Sequence, residues 1–110
     1  MEPQANYRLA LSTASGLSFF NPEQIVRMEA RSNYTNIFFT DRKPILVARI
    51  LRDYEEILHA YGFIRTHRSH LVNKRYITCV DIAGNITMKD SSKAEISRRK
   101  KCKIMRVLKN

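Results

Sequence analysis

Residues 63–77 read FIRTHRSHLVNKRYI. Two histidines, four cations, a serine and an asparagine stand here among apolar residues of strand or core type. Such a stretch can be a metal site, a His/Ser catalytic constellation, or a surface that holds something negatively charged.

The metal reading lacks members. A zinc site needs three or four ligands with matched geometry. His67 and His70 are three apart and His59 lies eight residues upstream, but no acid flanks the pair. Neither Cys79 nor Cys102 has a CxxC partner, and Arg65, Arg68 and Arg75 would repel a cation. The catalytic reading is also incomplete. His67 and Ser69 would share one face of a strand, yet a triad needs an orienting acid and an oxyanion hole. Asp81 is the nearest acid on the C-terminal side, and neither a G-x-S-x-G elbow nor a phosphate-cradling glycine loop is present. We therefore expect no enzyme, no cofactor and no metal.

Charge favours the third reading. The 110 residues carry 20 Lys+Arg against 10 Asp+Glu, a formal net charge of +10, which bears on partners rather than on fold. Nucleic acid is the first candidate partner and an anionic membrane surface the second. No apolar run reaches the roughly 20 residues that a span requires, and the N-terminus lacks the basic n-region of a signal peptide. The cytoplasm is the expected compartment, with both cysteines reduced, Cys79 reading as a small buried hydrophobe, and the sequons at Asn33 and Asn85 accidental. The basic residues cluster. Residues 57–80 and 96–110 contain no acid, and the second segment holds seven cations. If folding joins these segments, a positive face results, set against an acidic face of Asp53, Glu55 and Glu56. Lysine and arginine density sets affinity, whereas sequence choice needs groups that reach base edges. Asn33, Arg68 and Arg98 are of that type, each in or beside an expected loop.

The local patterns describe a single, β-dominated domain. Alternation predicts strands over 7–12, 17–20, 25–30, 34–40, 44–48, 77–82, 86–88 and 94–96. Asn21-Pro22-Glu23-Gln24 has the form of a capped helical turn. Ile50, Leu51, Tyr54, Ile57, Leu58 and Tyr61 repeat at helical spacing, and Gly62 stands where a C-cap belongs. A short basic helix is expected from about Ser97. RNA-binding signatures, an RNP1-type aromatic pattern or a GXXG loop, are missing.

The hairpin IVRMEARSNYTNIFF, the helix RILRDYEEIL, then GFIRTHRSHLVNKRYI and ITMKDSSKAEISRRKK resemble, in order and spacing, the LytTR DNA-binding domain. This is the effector module of LytR/AlgR-type bacterial response regulators. The likeness covers about residues 7–108. It implies an elongated fold of small packed antiparallel sheets with one main helix and a short basic C-terminal helix. It also implies sequence-specific binding of double-stranded DNA by loops set in successive major grooves, at paired direct repeats bound by two copies. By the same resemblance Asn33, Arg68 and Arg98 read bases, while Arg31, Tyr34, His67, Ser69, Asn73, Lys74, Arg99 and Lys100 contact the backbone or support the loops. Of these, Asn73 fits a role inside the fold, and His70 is expected to be exposed. Receiver domains usually precede such modules, and 110 residues leave no room for one in this chain. The alternative reading is a basic module that binds RNA or another partner without sequence choice.

Overall fold

The structure, a computed structural model, describes residues 4–109. Strands β1 (Leu9–Thr13) and β2 (Gly16–Phe20) form a two-stranded hairpin. Strands β3 (Ile25–Arg31), β4 (Tyr34–Phe39), β5 (Ile45–Val47), β6 (Phe63–His67) and β7 (His70–Asn73) make an antiparallel sheet in the order β5-β4-β3-β7-β6. Strands β8 (Ile77–Val80), β9 (Asn85–Met88) and β10 (Lys93–Glu95) form a third sheet. Helix α1 spans Leu51–Leu58 and α2 spans Lys101–Lys109. The long dimension is 41 Å against 23 Å for the shortest, so the elongated, mostly β architecture expected from the resemblance is present.

The quoted stretch is itself a hairpin and supplies the two strands that alternation missed. Arg68-Ser69 has no glycine, and the apolar positions around it do not alternate cleanly, so nothing local marks the turn. A bulge between Arg65 and His67 is the reason: Arg65 faces Leu71 but His67 faces His70, so Thr66 is an extra residue that breaks the period of two.

Two apolar cores lie on the two faces of the five-stranded sheet. Met28, Ile37, Phe63 and Leu71 on one face pack with Leu11 of the first hairpin and with Leu51, Tyr54 and Leu58 of α1. Val26 and Val72 on the other face pack with Ile86, Met88 and Ala94 of the small sheet and with Ile104 of α2. A bulge between Ile25 and Arg27 lets Ile25 and Met28 enter the same core while Val26 enters the other. Each element is thus amphipathic toward a specific layer, and the central sheet is apolar on both sides.

Local chemistry sets the boundaries. The Asn21 side chain accepts from Glu23 N–H at 2.9 Å, and Gln24 accepts from Asn21 N–H at 2.8 Å. This is the expected capped turn, a capping box. The last turn of the main helix tightens to 3-10 geometry over His59–Tyr61 and stops at Gly62, whose φ of 87° is left-handed. Ile50, placed on the apolar face by spacing, is exposed because it precedes the first helical turn. Cys79 is also exposed, not buried. A third bulge, between Ile77 and Cys79, pairs Val80 with buried Ile86 and turns Cys79 outward with Thr87.

Candidate nucleic-acid interface

Three segments distant in sequence meet near one end of the central sheet. The β6–β7 turn carries Arg68 and Ser69. On one side of it, Ala30 N–H donates to Ser69 carbonyl oxygen at 2.9 Å, so the β3–β4 tip runs alongside. Arg31 pairs with Tyr34 across that tip, and Ser32 has a left-handed φ of 57°. At about 3.3 Å per residue, Asn33 projects roughly 7 Å beyond Ser69. Arg31, Asn33 and Tyr34 are all exposed.

On the other side, Thr66 fastens the segment after β10. Its hydroxyl donates to Glu95 carbonyl oxygen at 2.8 Å, and its own carbonyl accepts from Ser97 N–H at 2.8 Å. Held there, residues 97–100 form a turn, with Lys100 N–H donating to Ser97 carbonyl oxygen at 3.1 Å. The helix therefore starts at Lys101 rather than Ser97, and Arg98 and Arg99 stand on the turn before it.

Between these two turns is an open cleft of about 550 Å³. Arg68 and His67 line one wall, Ser97, Arg98, Arg99 and Lys100 the other, and Arg65 and Glu55 the floor. Arg68 and Arg98 thus face a common space, and among the described residues neither guanidinium has an ion-pair or hydrogen-bond partner. The His67 ring is fixed, because its Nδ1 accepts from Ser69 N–H at 3.0 Å. That leaves Nε2 as the protonated nitrogen of the neutral ring, 4.0 Å from a Glu95 carboxylate oxygen.

Asn33 does not line this cleft but stands apart at its own tip. Two further residues are placed elsewhere. Asn73 is buried, its Nδ2 donating to Ile25 carbonyl oxygen at 3.0 Å and its Oδ1 accepting from Arg75 N–H at 3.3 Å. It supports the fold and cannot touch a surface ligand. Lys74 follows it at the end of β7 remote from Arg68, its N–H donating to Gly62 carbonyl oxygen at 3.0 Å. His70 is half-buried rather than exposed, and its Nδ1 is buried without a partner. Burial pushes its pKa down, against a smaller upward pull from Glu29.

The acidic face divides. Glu55, expected opposite the cations, pairs with Arg65 at 2.7 Å and sits in the basic cleft. Arg65, Thr66, Ser97 and Glu55 are the site-forming residues that sequence reasoning passed over. The bonds that join them across the cleft, Arg65 to Glu55 and Thr66 to Glu95 and Ser97, span ten to about thirty positions, beyond any local pattern.

The family profile described as the LytTr DNA-binding domain matches residues 15–109. Among solved structures, a similar one is the LytTr DNA-binding domain of a protein described as a methyl-accepting/DNA response regulator from Bacillus cereus. It has a TM-score of 0.75 and 21% identity, over 94% of this chain and 97% of that one, and at that identity the likeness speaks for the fold. A comparison with curated protein sequences finds no match. With the profile covering all but the first hairpin strand, the chain belongs to the LytTR DNA-binding domain family.

Proposed function

We propose that this chain is the sequence-specific, double-stranded DNA-binding effector module of a bacterial transcriptional response regulator. The observation that carries the proposal is the cleft: Arg68 and Arg98, whose guanidiniums have no partner among the described residues, face one space, with the exposed Asn33 tip apart from it. Arginine can donate two bonds to guanine and asparagine can pair with adenine in the major groove. In this reading Asn33, Arg68 and Arg98 contact bases. Arg31, Tyr34, His67, Ser69, Arg99 and Lys100 hold the phosphate backbone, His67 by donating from Nε2. Lys74 is outside this set because it stands at the other end of β7.

Loops set in successive major grooves, about 34–36 Å apart on one face of the duplex, are what the family resemblance implies, whereas Arg68 and Arg98 line one cleft of this chain. Two copies on direct repeats then lie a whole number of turns apart, and a receiver domain elsewhere in the regulator supplies the signal. In bacteria such a module works in the cytoplasm, and among the described residues no helix is long and apolar enough to cross a membrane.

Competition binding tests the reading. A duplex enriched from a random pool is competed with scrambled duplex at fixed salt. Arg68→Ala and Arg98→Ala should each lower the preference for the enriched duplex by about 1–3 kcal/mol. A preference near unity for the unaltered protein would favour nonspecific binding of nucleic acid instead.

A further inference from the structure

Beneath the cleft lies a charged pair that neither base reading nor phosphate contact explains. The Arg65 guanidinium donates three times: Nε to His67 carbonyl oxygen at 2.9 Å, Nη2 to Arg68 carbonyl oxygen at 2.6 Å, and Nη1 to Glu55 Oε1 at 2.7 Å. Its side chain is only 17% exposed, so it does not reach a ligand while these bonds hold. A guanidinium is a rigid planar fork. The three bonds therefore fix the turn backbone at Arg68 against helix α1. The bulge at Thr66 and the turn that follows bring the His67 and Arg68 carbonyls within reach of the Arg65 side chain.

Glu55 has the opposite puzzle. Its side chain is 41% exposed and lies in a cleft whose lining includes Arg68, Arg98, Arg99 and Lys100. Glu55 is the exposed partner of the pair, so water screens its side of the bond, while an anion in this position repels phosphate. Repulsive elements of this kind raise specificity at the expense of raw affinity.

Resting on the DNA-binding reading, we propose that the Glu55–Arg65 pair is a specificity device. Arg65 is a positioning residue that aims the Arg68 turn. Glu55 holds Arg65 in place and keeps phosphate off the cleft floor, so the cleft arginines gain their full interaction only in register with base edges.

The quantity to measure is the specificity ratio, Kd for a scrambled duplex over Kd for the duplex the protein enriches from a random pool. Arg65→Gln should lower it about tenfold, near the low end of one base contact, with the loss falling on the enriched duplex. Arg65→Lys should fall nearly as far, since lysine keeps the charge but cannot span both carbonyls in fixed geometry. Glu55→Gln should tighten binding to scrambled duplex about threefold and so lower the ratio from the other side. Equal losses on both duplexes for the two Arg65 variants, or unchanged scrambled-duplex binding for Glu55→Gln, would overturn the proposal. Arg68→Ala, run in parallel, separates this failure from a broader one. If it too leaves the ratio unchanged, base reading itself is wrong; if it alone lowers the ratio, only the pair's role is wrong. Should thermal unfolding show that Arg65→Gln does not fold, Glu55→Gln, at an exposed helix position, decides by the same criterion.

Discussion

The Thr66 hydroxyl donates to the Glu95 carbonyl oxygen at 2.8 Å, joining β6 to the end of β10 across 29 positions of sequence. This bond, with Ser97 N–H to the Thr66 carbonyl, sets the spacing between Arg68 and Arg98. Thr66→Val keeps the shape and deletes the donor, leaving Glu95 with an unmade bond at a cost of about 1–2 kcal/mol. A urea unfolding midpoint reads that loss. The same variant should also shrink the effect of Arg98→Ala on sequence preference, because Arg98 is then held less firmly. Full additivity of the two substitutions would show that Thr66 does not position Arg98.

Asn73 separates support from contact. Its buried amide ties β7 to the start of β3 at Ile25 and to the turn that follows β7 at Arg75. Asn73→Ala strands the Ile25 carbonyl and the Arg75 N–H and should destabilise the fold by about 2–4 kcal/mol. Once corrected for the folded fraction, its preference between enriched and scrambled duplex should match that of the unaltered protein. A fall in preference comparable to that of Arg68→Ala would mean that Asn73 shapes the reading surface itself.

These two residues also show what can be read without coordinates. Helix α1, the capping box at Asn21 and the β3–β4 hairpin are encoded by neighbours, so spacing and cap chemistry reveal them. That Asn33, Arg68 and Arg98 fall at turns is legible in the sequence, because each stands in or beside a polar break between apolar strands. Bulges at Thr66 and Thr78 were not legible, since an extra residue leaves composition unchanged while reversing which face follows. Alternation therefore does not reveal β6 and β7, and it places exposed Cys79 in the core. The Arg65–Glu55 and Thr66–Glu95 bonds depend on how layers stack, and only the assembled sheet brings those partners together.

His70 makes stability depend on pH. Burial holds its folded pKa below the ordinary value of 6.5, with Glu29 opposing and Arg27 reinforcing the shift. Across the interval between the lowered and ordinary values, the unfolded chain binds the extra proton. The stabilisation is therefore complete above about pH 6.5 and is lost as pH falls through the folded value. Urea midpoints measured at about pH 7.5 and about pH 5.5 should show the protein weaker at the lower pH. His70→Gln should flatten that part of the profile. An equal drop in the variant would assign the effect to other groups.

Salt dependence distinguishes backbone contacts from base contacts. Lys100 lies on the cleft wall beside Arg98 and Arg99, as a compact point charge suited to phosphate rather than to a base edge. Each phosphate neutralised contributes about −0.9 to the slope of log K against log salt. Lys100→Ala should reduce the magnitude of that slope by about one and weaken enriched and scrambled duplexes in the same proportion. Arg68→Ala should instead act mainly on preference at fixed salt. If Lys100→Ala changes preference while the slope stays constant, then Lys100 reads sequence, and its place among the backbone contacts must be redrawn.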